Sequence, residues 1–135
     1  MPGVLVDSNV ILNLVLDDPR WADWSSRTLN SYAQGADLCI NPVIYSEVSI
    51  GFQSIEELEE VILMGGFRIL EIPKEALFLA GKIFLRYRKN KGTKRSPLPD
   101  FYIGAHAAVF KMDLMTRDTS KYRTYFPTLN IIHPE

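Results

Sequence analysis

A chain of 135 residues, 47% of them apolar, can bury one core but not two, so a single domain over residues 1–135 is expected. The net charge of −1 gives no global basic field of the kind that draws many proteins to nucleic acid. One cysteine, Cys39, excludes an internal disulfide; no apolar run approaches the ~18 residues of a membrane helix, and MPGVLVD lacks the marks of a secretory leader, so a cytoplasmic protein without membrane contact is expected.

Val4, Leu5 and Val6 form a short apolar run ending at Asp7, which predicts a strand buried on both faces. Val10, Ile11, Leu14 and Val15 then repeat at helical spacing, so Asp7 stands where strand turns into helix. Asp18-Pro19 predicts the N-cap and first turn of a second helix, running to Tyr32 or Ala33 and ended by Gly35. Asp37 to Ile40 predicts the second strand. Asn41-Pro42 opens a helix whose inward stripe carries Val43, Ile44, Val48 and Gly51, with Glu47 on the same face. Ser54 and Glu57 make a capping box for a helix closed by Gly65-Gly66. Phe67 to Ile72 predicts a third strand, and Pro73 starts a long helix that runs into a basic segment. After Pro97 and Pro99, DFYIGAHAAVF predicts a helix rich in small residues with Asp100 at its N-terminus, where capping would be the ordinary role of an aspartate. Leu114 to Thr116 predicts a fourth strand ending just before Asp118, and Asn130 to Ile132 a fifth.

Strands alternating with helices predict a three-layer α/β/α sandwich around a mainly parallel sheet of about five strands. In such folds ligands gather at the carboxyl ends of strands, near the topological switch point. Asp7 and Asp118 follow strand ends, while Glu47 and Asp100 lie near helix starts on that same edge. All four interrupt apolar or small-residue stretches, where a lone carboxylate is costly unless paired or bound to a metal. Two such groups ~4 Å apart repel by about 4 kcal/mol at an effective dielectric near 20, a repulsion that a divalent cation turns into attraction. Hard oxygen ligands suit Mg2+ or Mn2+. Asn9 and Thr116 are candidate hydrogen-bonding supports for the carboxylates.

The charge is unevenly spread. Between positions 86 and 95 the run RYRKNKGTKR leads almost directly to Asp100, and Arg88, Lys91, Lys94 and Arg95 are the candidate contacts to nucleic-acid phosphates. Other chemistries lack support. His106 and His133 have no second histidine or cysteine at zinc-ligand spacing, and His106 within GAHAAV is expected to be a packed helix residue. No Gly-rich phosphate loop and no serine-nucleophile motif occurs. Trp21 and Trp24 are expected to be core or dimer contacts.

In order and spacing, VLVDSNVIL, NPVIYSEV, PDFYIGAHAAV and LMTRDTSKY resemble the four acidic motifs of PIN-domain ribonucleases, and most closely the VapC-type toxins. The resemblance implies that Asp7, Glu47, Asp100 and Asp118 form an acidic quartet for Mg2+ or Mn2+, with Asn9 and Thr116 in support. Ser8 stands where that first motif often has threonine. It further implies an endoribonuclease, with tRNA or rRNA among the substrates to consider, often a homodimer, held inactive by a cognate antitoxin in toxin systems. On this reading Asp7, Asp100 and Asp118 hold the metal, and Glu47 binds it or orients the attacking water.

Three other readings are open at this level: an RNA-processing nuclease outside a toxin system, a non-catalytic RNA-binding or interaction module on the same fold, and a haloacid-dehalogenase-type phosphohydrolase. The last expects an acid two residues after the first-strand aspartate, where this chain has Asn9.

Overall fold

The computed structural model describes residues 3–90, 92–93 and 98–135. Over these it forms strands β1 (Gly3–Val6), β2 (Asp37–Ile40), β3 (Arg68–Ile69), β4 (Asp113–Met115) and β5 (Ile131–Ile132). The helices are α1 (Ser8–Val15), α2 (Ala22–Ala33), α3 (Pro42–Val48), α4 (Ile55–Met64), α5 (Lys74–Lys89), α6 (Pro99–Phe110) and α7 (Ser120–Tyr125). The sheet order is β3-β2-β1-β4-β5, with every pairing parallel. Right-handed crossovers then put the β1-to-β3 connections on one face and the β3-to-β5 connections on the other, the expected α/β/α arrangement.

The order reverses between β1 and β4, which pair in register from Val4 and Asp113 to Val6 and Met115. A crevice opens at the carboxyl ends of strands where connections depart to opposite faces. The central strands read as unbroken apolar runs because both faces are covered: Leu5, Val6, Ile40, Leu114 and Met115 are fully buried. Truncating such a residue to alanine costs about 2–5 kcal/mol.

Helix α6 has no polar stripe and lies largely inside the molecule; Phe101, Ile103, Ala105, His106 and Ala107 are inaccessible to solvent. Its small residues permit close packing. A Cβ at Gly104 would overlap the ring of Phe126. His106 Nδ1 accepts from Asn41 Nδ2 at 3.1 Å, while Asn41 Oδ1 caps α3 by accepting from the Ile44 N–H at 2.9 Å. One side chain thus ties α3 to α6 as it starts the helix that carries Glu47.

Several expectations need correction. The second helix begins at Ala22, not at Pro19. Asp18 caps a turn instead, accepting from the Arg20 and Trp21 N–H groups at 2.8 and 2.9 Å. Trp21 is therefore outside the helix, its ring covered by the guanidiniums of Arg20 and Arg117, whereas Trp24 packs against the core. The third strand is only Arg68–Ile69: it is an edge strand beside the four-residue β2, and the Leu70 N–H to Ile40 carbonyl bond ends its pairing. Asp100 lies in the first turn of α6 but does not cap it, since Leu98 is the N-cap and makes no side-chain bond.

Candidate active site

Asp7 follows β1 and is the N-cap of α1, with an extended backbone and a carboxylate that accepts from the Ser8 N–H at 2.8 Å. The backbone N–H of Asp7 continues the ladder to the Met115 carbonyl, which brings the chain after β4 alongside. There Thr116 Oγ1 donates to Asp7 Oδ2 at 2.8 Å and accepts from Asn9 Nδ2 and the Asp118 N–H, each at 3.2 Å. With one proton given and two lone pairs filled, this buried hydroxyl is fully used. Asn9 Oδ1 in turn accepts from the Arg117 N–H at 3.0 Å. Asn9 and Thr116 thus pin the β4–α7 loop to the start of α1.

The carboxylates are connected by hydroxyl groups. Ser8 Oγ donates to Glu47 Oε1 at 3.0 Å and stands 3.5 Å from Asp7 Oδ1. On the other side, the Tyr122 hydroxyl donates to Asp7 Oδ2 at 3.0 Å and lies 3.4 Å from Asp100 Oδ1. The row runs from Glu47 through Ser8, Asp7 and Tyr122 to Asp100. Asp118 is exposed; its carboxylate accepts from Ser120 Oγ at 3.4 Å, and its charge acts on Asp100.

Burial pushes the Asp7 carboxyl above its ordinary range; the bonds from Thr116 and Tyr122 oppose the shift, and the charge of Asp100 adds to it. Half-buried Glu47 is raised for the same first reason, against the Ser8 hydrogen bond and with the charges of Asp7 and Asp100. Asp100 is also raised by burial, opposed by Lys121 and reinforced by Asp118. Tyr122, 1% exposed, is held well above the usual phenol range by burial and then by the charges of Asp7 and Asp100, so it is a proton donor in the hydrogen bond. Three acids that resist ionisation through burial and through neighbouring negative charge form a site that favours an added positive charge.

Among the described residues, no three carboxylate, imidazole or thiol groups are gathered closely enough to hold a metal ion without adjustment. The intervening hydroxyls space the acids. This donor set still fits a hard divalent cation: all its atoms are oxygens, its charges repel one another, and Mg2+ is commonly held by one or two carboxylates with water and phosphate completing its shell. Asp7, Asp100, Asp118 and Glu47 are the groups that could hold such an ion, Asp118 from the exposed margin.

The remaining candidates fare differently. Arg88 is exposed in the last turn of α5, where Arg86 and Lys89 also complement the helix dipole. Lys91, Lys94 and Arg95 lie outside the described residues. His106 is a packed helix residue, as expected, with a proton affinity lowered by burial. Sequence reasoning missed Tyr122 and Lys121. The available signal was position: Lys121 lies in LMTRDTSKY, the stretch that resembles the fourth acidic motif, Tyr122 ends it, and Tyr122 is four residues, about one helical turn, after Asp118.

Among the described residues, no helix is long and apolar enough to cross a membrane. No curated protein matched this chain. Solved structures do. A chain of VapBC2 from Rickettsia felis, bound to a DNA fragment from their promoter, superposes with a TM-score of 0.76 at 15% identity, covering 98% of this chain and 99% of that one. FitAcB from Neisseria gonorrhoeae gives a TM-score of 0.70 at 23% identity over 96% of each chain. VapBC-1 from nontypeable Haemophilus influenzae gives 0.71 at 17% identity over 97% of each. At such identities the likeness is one of fold. The family model for the PIN domain matches residues 4–127, nearly the whole chain, and PIN domains are in general nucleases acting on phosphodiester bonds; the chain belongs to the PIN-domain family.

Proposed function

We propose that this protein is a single-domain, Mg2+- or Mn2+-dependent endoribonuclease, the toxin component of a toxin–antitoxin pair, acting as a homodimer in the cytoplasm. One observation carries the reading: Glu47, Asp7 and Asp100 form a hydroxyl-bridged row at the carboxyl edge of the sheet, burial raises the proton affinity of all three, and the charge of Asp100 raises it further at Asp7, as those of Asp7 and Asp100 do at Glu47. Family membership supports the reaction class, and the toxin–antitoxin neighbours support a protein partner.

When bound, a divalent ion would lower the pKa of water and stabilise the charge that develops on phosphate oxygens during in-line displacement. The protein's own groups account for the rest. Asp7, Asp100 and Asp118 supply ligand oxygens, and Glu47 either adds one or takes the proton of the attacking water. Raised proton affinity makes Glu47 the better proton acceptor for that transfer. Lys121, whose charge acts on Asp100, would meet the scissile phosphate at the mouth of the site. Arg88, Lys91, Lys94 and Arg95 would hold the strand that leads there.

Incubating the purified protein with total RNA in Mn2+ or Mg2+ against EDTA, then sequencing new 5′ ends, tests chemistry, cofactor and target together. Discrete metal-dependent ends within a tRNA or an rRNA loop are expected. RNA binding without cleavage under any divalent ion would favour the non-catalytic module.

A further inference from the structure

A carboxylate offers about four acceptor positions, and counting those of Asp7 distinguishes its two oxygens. Oδ2 accepts from Thr116 Oγ1 at 2.8 Å and Tyr122 OH at 3.0 Å, which fills it. Oδ1 accepts from the Ser8 N–H at 2.8 Å; the Ser8 hydroxyl is 3.5 Å away and gives its proton to Glu47 at 3.0 Å. One acceptor position therefore remains on Oδ1. Asp100 is less committed: the Tyr122 hydroxyl, 3.4 Å from its Oδ1, has only one proton and makes its shorter bond to Asp7.

We propose that Tyr122 is a positioning residue for the metal site, saturating Asp7 Oδ2 so that Asp7 Oδ1 and the carboxylate of Asp100 are the oxygens left for a divalent cation. The inference rests on the reading of these carboxylates as a cation site. Several observations set Tyr122 apart from an ordinary core aromatic. Its hydroxyl is buried, reaches two acids from separate elements, and belongs to α7, which follows directly on the Asp118 loop. Phe126, on the next turn, seats against Gly104 of α6, so the packing that fixes α7 also fixes the phenol over Asp100. A hydroxyl aimed at the back of a ligating carboxylate orients it and removes a competing rotamer, as outer-shell partners of metal ligands generally do.

The test is Mn2+ calorimetry on the EDTA-stripped full chain, comparing wild type with Tyr122→Phe, which keeps the ring and removes only the hydroxyl. Affinity should fall ten- to hundredfold, the loss typical of an outer-shell partner, with circular dichroism unchanged. Affinity within twofold of wild type, in a folded variant, would overturn the role of Tyr122 while leaving the cation site intact. Wild type that takes up no Mn2+ would overturn the underlying reading as well. Should Tyr122→Phe not fold, 3-fluorotyrosine placed at position 122 decides the matter by fluorine NMR. Its resonance should move on Mg2+ addition with the midpoint that a parallel Mg2+ calorimetric titration gives, and a resonance that stays fixed while Mg2+ binds would count against the proposal.

Discussion

Ser8 Oγ donates to Glu47 Oε1 at 3.0 Å, so the first residue of α1 steadies a carboxylate 39 positions away on α3. That bond opposes the upward shift that burial imposes on Glu47. Ser8→Ala should therefore cut turnover about tenfold, the lower end of outer-shell losses, with the deficit widening toward acidic pH. Ser8→Thr, which keeps the hydroxyl, should approach wild type. Initial rates across pH check this, and an alanine variant with an unchanged profile would remove Ser8 from the mechanism.

Asp100 has few compensating bonds. Its carboxylate is half-buried, faces the charges of Asp7 and Asp118, and receives at most the long Tyr122 contact. Asp100→Asn keeps the volume and removes the charge, so the metal-free variant should gain about 0.5–2 kcal/mol while losing cleavage, the usual trade between stability and function. Denaturant unfolding without metal measures it. A destabilised variant would mean that the charge is compensated in the native state.

The pH dependence has a definite sign. Asp7, Glu47 and Asp100 all bind protons more tightly folded than unfolded. Their contribution to stability is present below about pH 4, where both states are protonated, and is lost as pH rises through the folded values. The metal-free melting temperature should thus fall with rising pH for the share these three groups control. Saturating Mn2+ should restore it at neutral pH, by about 2.7 kcal/mol at a hundredfold excess over Kd, and do little under acid. Scanning calorimetry with and without Mn2+ at both pH values would show the crossover, and equal stabilisation at both would refute the linkage.

Neutralising Lys91, Lys94 and Arg95 together should weaken RNA binding and flatten its salt dependence, by about 0.7 in log–log slope for each single-strand phosphate that the protein no longer neutralises. Titrations at several salt concentrations give the slope. An unchanged slope would assign the segment a solvated role only.

The strand-end acids were legible from sequence because a carboxylate after an apolar run is conspicuous against Val4–Val6 or Leu114–Met115. Glu47 was legible for the same reason, standing beside buried Ile44 and Val48. Tyr122 was not, because its partner Asp7 is 115 positions away and an aromatic residue in a short helix looks like any core residue. The hydroxyl spacing of the acids was also hidden: it depends on which rotamers packing allows, not on residue order. Asp18 misled for a local reason. Asp-Pro fits a helix start and a capped turn equally well, and here the Asp18 carboxylate closes a turn on the Arg20 and Trp21 N–H groups before the helix starts at Ala22.

The most direct test of the central claim, that these carboxylates hold the cation that cleavage requires, is RNA cleavage by EDTA-stripped wild type and Asp100→Asn as Mn2+ is added back. The account predicts no cleavage by either protein without metal, saturable recovery for wild type, and none for Asp100→Asn at undiminished RNA affinity. Cleavage that persists without metal, or that Asp100→Asn recovers to the wild-type level, would contradict it.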